Sequence, residues 1–343
     1  MREIKSAALI GAGAVGAYFI PGLERELGEH FCVVAEGERR ERLMRDGIVI
    51  NGKHFEPRVC TPREAAAAGV ELLIVATKYD GLPGALPMIR EIASGNEEII
   101  VISAMNGIDS EEMIAEVIGE KPLLYAYMFI SSERRGREIV YDPAITKGLV
   151  IGEKDPGGVP HGSGAASGTA GGTASGTAGS AAAESAASER ALAVKALMDR
   201  ADIRCRIAED ILTEQWQKFV LNMGNNLPQA ILGVGYGAYL DSEHVKYLHD
   251  RLFDEVMEVA AAYGITLQYD GNERGRSLDT ARYSTLQDLD AGRHTEVEMF
   301  AGVLMKKAKE KGIRVPYTDF AYHAIKALEE KNDGKFDYGN TQT

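Results

Sequence analysis

Between Gln215 and Asn226 the chain reads Gln-Trp-Gln-Lys-Phe-Val-Leu-Asn-Met-Gly-Asn-Asn, with Lys218, Asn222 and Asn226 spaced four residues apart. At helical period these three side chains project from one face. The rest of the segment is mostly apolar and includes Trp216, Phe219, Val220 and Leu221. A polar stripe along such a helix needs partners, and a ligand carboxylate or carbonyl would supply them. An ammonium in that setting can stabilise an alkoxide as it develops and then protonate it. A lone lysine often snorkels from an apolar face, but snorkelling accounts poorly for the stacked asparagines.

A second polar segment runs from Tyr283 to Glu298. Ser284 with Gln287, and Thr295 with Glu298, each have the spacing of a helix capping box. The second box leaves Glu296 unassigned in a first helical turn, where the helix dipole favours an acid in any case.

The third motif is Gly11-Ala12-Gly13-Ala14-Val15-Gly16, a G-x-G-x-x-G run after a short apolar segment. Its first glycine permits a tight turn, its second lets the backbone approach a pyrophosphate, and its third lets helix and strand pack closely. The helix N-terminus then offers N–H groups and a positive dipole end. A nicotinamide dinucleotide is the ligand this pattern favours. Lys78 and Asn106 each follow an apolar strand pattern, so they fall on the rim where open α/β sheets bind ligands. Glu36 stands at the end of the second strand pattern after the glycine loop, where an acid usually bonds the adenosine ribose of NAD. Arg39 and Arg40, one turn farther, could instead pair the 2′-phosphate of NADP.

The elements that must carry these residues alternate at first. Strand patterns at Ser6–Ile10, Phe31–Ala35, Leu72–Ala76, Ile99–Ser103 and Leu123–Ile130 are separated by helical patterns at Ala14–Leu27, Glu38–Asp46, Leu82–Ala93 and Ser110–Ile118. Such alternation predicts a parallel sheet covered on both faces. A helix over Glu189–Arg200 and a strand over Ile203–Ile207 close this part. From Glu209 the pattern is helical, at Glu209–Asn226, Ser242–Tyr263, Thr295–Lys311 and Tyr317–Lys331. The expected fold class is α/β: a Rossmann-type doubly wound domain over 1–208, then an all-helical domain over 209–335 and a tail over 336–343. Between 156 and 188 nearly every residue is Gly, Ala, Ser or Thr. This is the composition of a tether inserted in the first domain.

Composition narrows the function classes. The 343 residues carry a formal charge of −13, which opposes binding to a phosphate backbone and argues against a nucleic-acid partner. No apolar run approaches the ~18 residues of a membrane span. Arg2, Lys5 and the apolar residues after them imitate a signal peptide, but three glycines interrupt the run, and a cytoplasmic location is expected. Cys32, Cys60 and Cys205 form no CxxC pair and read as reduced, buried thiols, neither a disulfide frame nor a metal site.

Taken in order, the glycine loop, Lys78, Asn106-Gly107, the Trp-x-Lys-x-x-x-Asn helix, Ser284 with Gln287-Asp288, Arg293-His294-Thr295-Glu296 and Gly312-Ile313-Arg314-Val315-Pro316 resemble the ketopantoate reductase (2-dehydropantoate 2-reductase) family. The resemblance covers nearly the whole chain outside the tether. It implies reduction of a small branched 2-oxo acid, 2-dehydropantoate before others, by NADPH, in pantothenate and coenzyme A synthesis. Lys218 would give the proton, with Glu296 beside the nicotinamide end. Asn222, Asn226 and Ser284 would hold substrate, and Asn106 would touch both substrate and cofactor. The loop from Gly11 to Gly16, with Lys78 and Arg39, would hold the cofactor. A homodimer is the assembly to test. Two positions depart from the family: Tyr236 stands where a substrate-contacting asparagine is usual, and Glu36 where an arginine is usual. They leave open which 2-oxo acid is reduced and whether NAD serves as well as NADP. Two alternatives also stay open: a reductase of a different branched 2-oxo acid, and a dinucleotide-sensing protein without catalysis.

The tether generates a first test. Loop-closure entropy grows only slowly with length, so replacing 157–185 by a short Gly/Ser turn is expected to leave both melting temperature and turnover nearly unchanged. A large fall in either, measured by thermal unfolding and steady-state kinetics, would give the tract a packing or gating role.

Overall fold

The structure, a computed structural model, describes residues 2–154, 187–268 and 279–338. The expected tether lies outside them, apart from its last two residues. The chain divides into two compact units that part between Leu212 and Thr213.

In chain order the first unit contains β1 (Ala7–Ile10), α1 (Ile20–Leu27), β2 (Phe31–Val34), α2 (Gly37–Asp46), β3 (Ile48–Ile50), β4 (Lys53–Phe55), β5 (Val59–Cys60), α3 (Pro62–Ala67) and β6 (Leu72–Val75). It continues with α4 (Leu82–Ala93), β7 (Ile100–Ser103), α5 (Ser110–Ile118), β8 (Tyr125–Phe129), β9 (Ser132–Arg135), β10 (Glu138–Tyr141), β11 (Gly148–Gly152), α6 (Glu189–Arg200) and β12 (Cys205–Ile207). Five strands form a parallel sheet in the order β5-β2-β1-β6-β7. Four of them are expected ones; the fifth place goes to the short β5, while the expected strand at Leu123–Ile130 occurs as β8 in another sheet, antiparallel to β11. Ala7 of the central strand pairs with Phe31 on one side and Leu72 on the other. The chain thus leaves β1 in opposite directions, and the crevice beyond its carboxyl end is a topological switch point.

Side chains alternate across this sheet as a two-residue period requires. Leu9, Val33, Ile74 and Ile102 join a core with Leu23 of α1 and Leu197 of α6. Ile10, Val34, Val75 and Val101 join another with Ile89 of α4 and Ile114 of α5. Both faces are dry, which explains the continuous apolar run Leu72-Leu73-Ile74-Val75. Two smaller sheets, β4-β3-β10-β9 and β12-β11-β8, complete the unit. Of their strands, β8 and β12 lie within strand patterns read from the sequence, whereas β3, β4, β9, β10 and β11 are only three to five residues long and give too little periodicity to be recognised.

Two expectations are corrected here. Cys32 and Cys60 are not separate thiols but a disulfide, with Cα atoms 6.1 Å apart. Strand β5 pairs with β2 so that Cys60 lies opposite Val34. Cys32, two residues before Val34, therefore points to the same face, a neighbour relation that the long stretch of chain between the two cysteines conceals. Cys205 is free, and burial pushes its thiol up to about 12.

The second correction concerns the glycine loop. Regular α-helix begins at Ile20, not Ala14, and Gly16–Tyr18 forms a 3₁₀ turn ahead of it. The helical path nevertheless opens at Gly13, whose carbonyl accepts from the Ala17 N–H at 2.9 Å. Pro21, with no N–H to give, interrupts the ladder there.

The three glycines answer to different constraints. Gly11 has φ +98°, and a Cβ on it would lie 2.5 Å from the Ala76 oxygen. A Cβ on Gly16 would lie 1.8 Å from the Gly11 oxygen. A Cβ on Gly13 would meet nothing within 4 Å. Protein packing therefore dictates Gly11 and Gly16 but not Gly13, which leaves open space over the first helical turn.

The second unit, among its described residues, is helical throughout: α7 (Ile211–Leu232, entered just before the boundary), α8 (Ala238–Asp241), α9 (Glu243–Ala262), α10 (Ser284–Asp290), a π-turn over Glu298–Gly302 leading into α11 (Val303–Glu310), and α12 (Pro316–Asn332). Helix α7 extends well beyond the expected end at Asn226. Pro228 forfeits one ladder bond, but Leu227 and Ala230 are buried and keep the apolar face going. Gly224 lets α9 approach: a Cβ there would come within 3.0 Å of the His249 ring. Buried Glu255 of α9 caps α12, accepting from the Tyr317 and Thr318 N–H groups, each at 2.8 Å.

The contrast within the glycine loop gives a paired test. Gly16→Ala forces a backbone clash and is expected to destabilise the fold by about 1–3 kcal/mol, read as a fall in melting temperature. Gly13→Ala is expected to leave melting nearly unchanged while weakening dinucleotide binding in a titration. Equal effects of the two substitutions on both readouts would refute the assignment.

Candidate active site

The first unit gathers the cofactor candidates at the carboxyl ends of its strands. The loop from Gly11 through Ala12, Gly13, Ala14 and Val15 to Gly16 follows β1. Lys78 follows β6, exposed at the head of a 3₁₀ turn, and half-buried Asn106 follows β7. The Thr77 hydroxyl donates to the Met105 sulfur at 3.5 Å, and the Tyr79 hydroxyl to the Asp109 carboxylate at 2.7 Å. These two bonds tie the Lys78 segment to the Asn106 segment. Gly107, with φ +92°, makes the turn just after Asn106. A cleft of about 270 Å³ opens beside the loop, lined by Ile10, Val34, Glu36, Arg39, Thr77 and Met88 among others. Glu36 and Arg39 thus share one cleft wall, each exposed. The open space over Gly13, the N–H groups of the turn it begins and this adjoining cleft fit a dinucleotide.

The second unit gathers the candidates for acid–base and substrate work. Lys218 and Asn222 are half-buried on α7, and Asn226, one turn on, is 5% exposed. Burial pushes the Lys218 ammonium from the ordinary 10.5 down to about 8, and the negative charge of Glu296 works against that fall. Lys218 and Glu296, distant in the sequence, are therefore electrostatically coupled. Glu296 is not in a helical turn as expected. It precedes the π-turn, and its carbonyl accepts from the Met299 N–H at 3.0 Å and the Phe300 N–H at 3.3 Å.

Both capping boxes are absent. Ser284 is the first residue of α10, behind Tyr283 as cap, and no side-chain cap bond forms. The Gln287 amide donates to the Arg282 carbonyl instead. The Thr295 oxygen accepts from the Val297 N–H at 3.2 Å, while Glu298 accepts from the Tyr322 hydroxyl at 2.7 Å. Arg293 and His294 serve structure, bonded to Asp288 and Asp333.

One organising residue escaped the sequence reading. Gln229, fully buried on α7, donates its amide to the Ala281 carbonyl at 2.9 Å and accepts the Tyr283 N–H at 2.5 Å. It fastens the approach to Ser284 onto the helix that carries Lys218, Asn222 and Asn226. Its only signal in the sequence is its place two helical turns beyond Asn222, along the same stripe. Tyr236 lies in a ring cluster, with centroids 5.7 Å from Tyr239 and 6.1 Å from Tyr283. Among the described residues no group of three or more His, Cys, Asp and Glu side chains is placed to hold a metal ion, and no helix is long and apolar enough to cross a membrane.

Comparison with known proteins shows the family. Residues 7–156 match the ketopantoate reductase PanE/ApbA family, and residues 210–329 match the C-terminal part of that family. The chain is 25% identical over 332 residues to the 2-dehydropantoate 2-reductase of Pyrococcus horikoshii, covering 95% of this chain and 98% of that one. Among solved structures, D-mandelate dehydrogenase with NADH and anilino(oxo)acetate superposes with a TM-score of 0.73 at 18% identity, covering 96% and 99% of the two chains. The dimeric ketopantoate reductase of Staphylococcus aureus superposes with a TM-score of 0.65 at 20% identity, covering 95% and 99%. With both family regions matched in order, flanking the low-complexity tract, the chain belongs to the ketopantoate reductase family.

Proposed function

We propose that this protein reduces a small 2-oxo acid to the 2-hydroxy acid, with 2-dehydropantoate as substrate and pantoate as product. The observation that carries the reading is Lys218: an ammonium half-buried on a stripe with Asn222 and Asn226, its charge opposed by burial and supported by Glu296. A bound nicotinamide cofactor supplies the hydride. The protein's task is the oxygen. As negative charge gathers there, the Lys218 ammonium stabilises it and then gives up its proton. Asn222, Asn226 and Ser284 bind the substrate's carboxylate and hydroxyl, and Asn106 orients substrate against cofactor. The charge of Glu296 favours the protonated form of Lys218. The relatives' naming as 2-dehydropantoate 2-reductases supports the substrate. The dimeric Staphylococcus aureus reductase, which shares the fold, supports a homodimer. We place the reaction in the cytoplasm.

Tyr236 favours a second substrate. Its cluster with Tyr239 and Tyr283 puts aromatic surface next in sequence to Ser284, and D-mandelate dehydrogenase, whose fold this chain shares, binds anilino(oxo)acetate. Comparing kcat/KM for 2-dehydropantoate with aromatic and branched 2-oxo acids distinguishes the two.

The proton donor generates the next test. Lys218→Ala is expected to lower kcat by about 10²–10⁴-fold and to leave dinucleotide binding within about twofold. A donor near pKa 8 must be protonated to act. The wild-type rate should therefore be flat below that pH and fall about tenfold per unit above it. A mutant with near wild-type kcat, or a profile without the alkaline limb, would overturn the role.

Cofactor choice gives another. Glu36 can accept bonds from the adenosine ribose but repels a 2′-phosphate, whereas Arg39 in the same cleft can pair it. NADP remains the family's cofactor, yet NADH is expected to serve with comparable kcat/KM, and Glu36→Arg to shift preference towards NADPH. Strong NADPH preference in the wild type, unchanged by the substitution, would assign the choice to Arg39 or Arg40.

A further inference from the structure

Glu329 of α12 is a buried carboxylate, 2% exposed, that the reaction as described does not use. Its Oε1 accepts two bonds from Thr295, the N–H at 2.8 Å and the hydroxyl at 2.6 Å. Its Oε2 accepts from the Lys326 ammonium at 2.8 Å. A carboxylate sequestered this far is tolerated only when its oxygens are satisfied, and here three donors satisfy them.

Thr295 precedes Glu296. The same Thr295 hydroxyl that donates to Glu329 accepts from the Val297 N–H at 3.2 Å, so one side chain holds both neighbours of Glu296. The Glu296 carbonyl is meanwhile held by Met299 and Phe300. The backbone of Glu296 therefore has little freedom, and the fixed end of that restraint is Glu329, on a helix whose own start is capped by Glu255. We propose that Glu329 is a positioning residue: by clamping Thr295 it holds the carboxylate of Glu296 within electrostatic reach of Lys218. The inference rests on the roles given above to Lys218 and Glu296.

The charged surroundings suit a permanent anion. Burial works to raise the carboxyl of Glu329, but the bonds from Lys326 and Thr295 hold it below the usual carboxylate range. The His294 Nδ1 lies 3.8 Å from Oε2, and the other ring nitrogen faces Asp333 at 2.9 Å. Lys326 also has Glu298 at 3.9 Å. Arg293 is occupied by Asp288. At neutral pH the clamp is an ionised carboxylate with cationic support from Lys326.

The test reads the alkaline limb of the kcat/KM profile, which a merely structural residue would not move. Removing the influence of Glu296 lets burial push Lys218 lower, so the limb should move to lower pH. In Glu296→Gln a shift of at least about half a pH unit is expected. Glu329→Ala is expected to move the limb the same way and to lower kcat about tenfold or more through misplacement. The double variant should move it no further than Glu296→Gln alone. Glu329→Gln keeps an oxygen for Thr295 and is expected to restore most of the wild-type profile. Should Glu329→Ala fail to fold, Thr295→Val removes the hydroxyl links and is read in the same way. A folded Glu329→Ala or Thr295→Val protein with the wild-type limb would overturn the proposal, as would additive shifts in the double variant. If Lys218→Ala itself retained rate and limb, the underlying reading would fall, and this inference with it.

Discussion

A lysine that is to surrender a proton near neutral pH must sit where its charge is costly but not abolished. Water alone would leave its ammonium near 10.5, and burial alone would push it lower than it stands. At Lys218 burial brings the value to about 8 and the charge of Glu296 limits the fall. With Lys218 as the proposed donor, its surroundings in the second unit can be understood from the need to keep that balance. Helix α7 must pass through apolar surroundings to dry the ammonium, hence Trp216, Phe219 and Val220 beside it. A carboxylate must come near from a distant part of the chain and stay there, hence the ties on both neighbours of Glu296.

The first unit meets a different demand, close approach of backbone to a polyanion. A side chain over the opening turn would keep a phosphate away, and Gly13 leaves that space clear. The flanking glycines have another function: Gly16 lets the turn close on the Gly11 carbonyl, and Gly11 adopts a backbone conformation that side chains rarely tolerate. The net charge of −13 is then no obstacle to binding a phosphorylated cofactor. Local N–H groups and the dipole of one helical turn act at contact distance, whereas the field of distant carboxylates is screened within about 10 Å.

Where local pattern determined the element, the sequence revealed it. Leu82–Ala93 and Ser110–Ile118 occur as helices with the boundaries read from their periodicity, and four of the five parallel strands, β1, β2, β6 and β7, follow from apolar runs between helices. Where the decisive contact was distant, local pattern misled. The spacing of Ser284 with Gln287 fits a cap, but Ser284 enters the helix itself. Thr295 with Glu298 fits another, yet the buried Glu329 claims the threonine. Cys32 and Cys60 become partners only because a two-residue strand pairs with β2. The candidate site follows the same division. The glycine loop, Lys78, Asn106 and the stripe of Lys218, Asn222 and Asn226 were legible because each is a local pattern. Gln229 and Glu329 were not, because what they hold lies far along the chain.

That division has a physical basis. Groups carried on a regular element, as Lys218, Asn222 and Asn226 are on α7, inherit the spacing that makes them visible; groups at strand ends are marked by the strand before them. Groups that hold those elements in register act through buried hydrogen bonds across the fold, and a single glutamine or glutamate among many carries no period. Gln229 shows how much one such residue does: with two bonds it joins the start of the Ser284 helix to α7. Replacing it by an apolar residue of similar size would leave the Tyr283 N–H and the Ala281 carbonyl to find other partners, at about 1–3 kcal/mol for each group left buried and unsatisfied. In this family member the polar residues of the candidate site are thus of two kinds: those proposed to meet a ligand and those that bond within the protein.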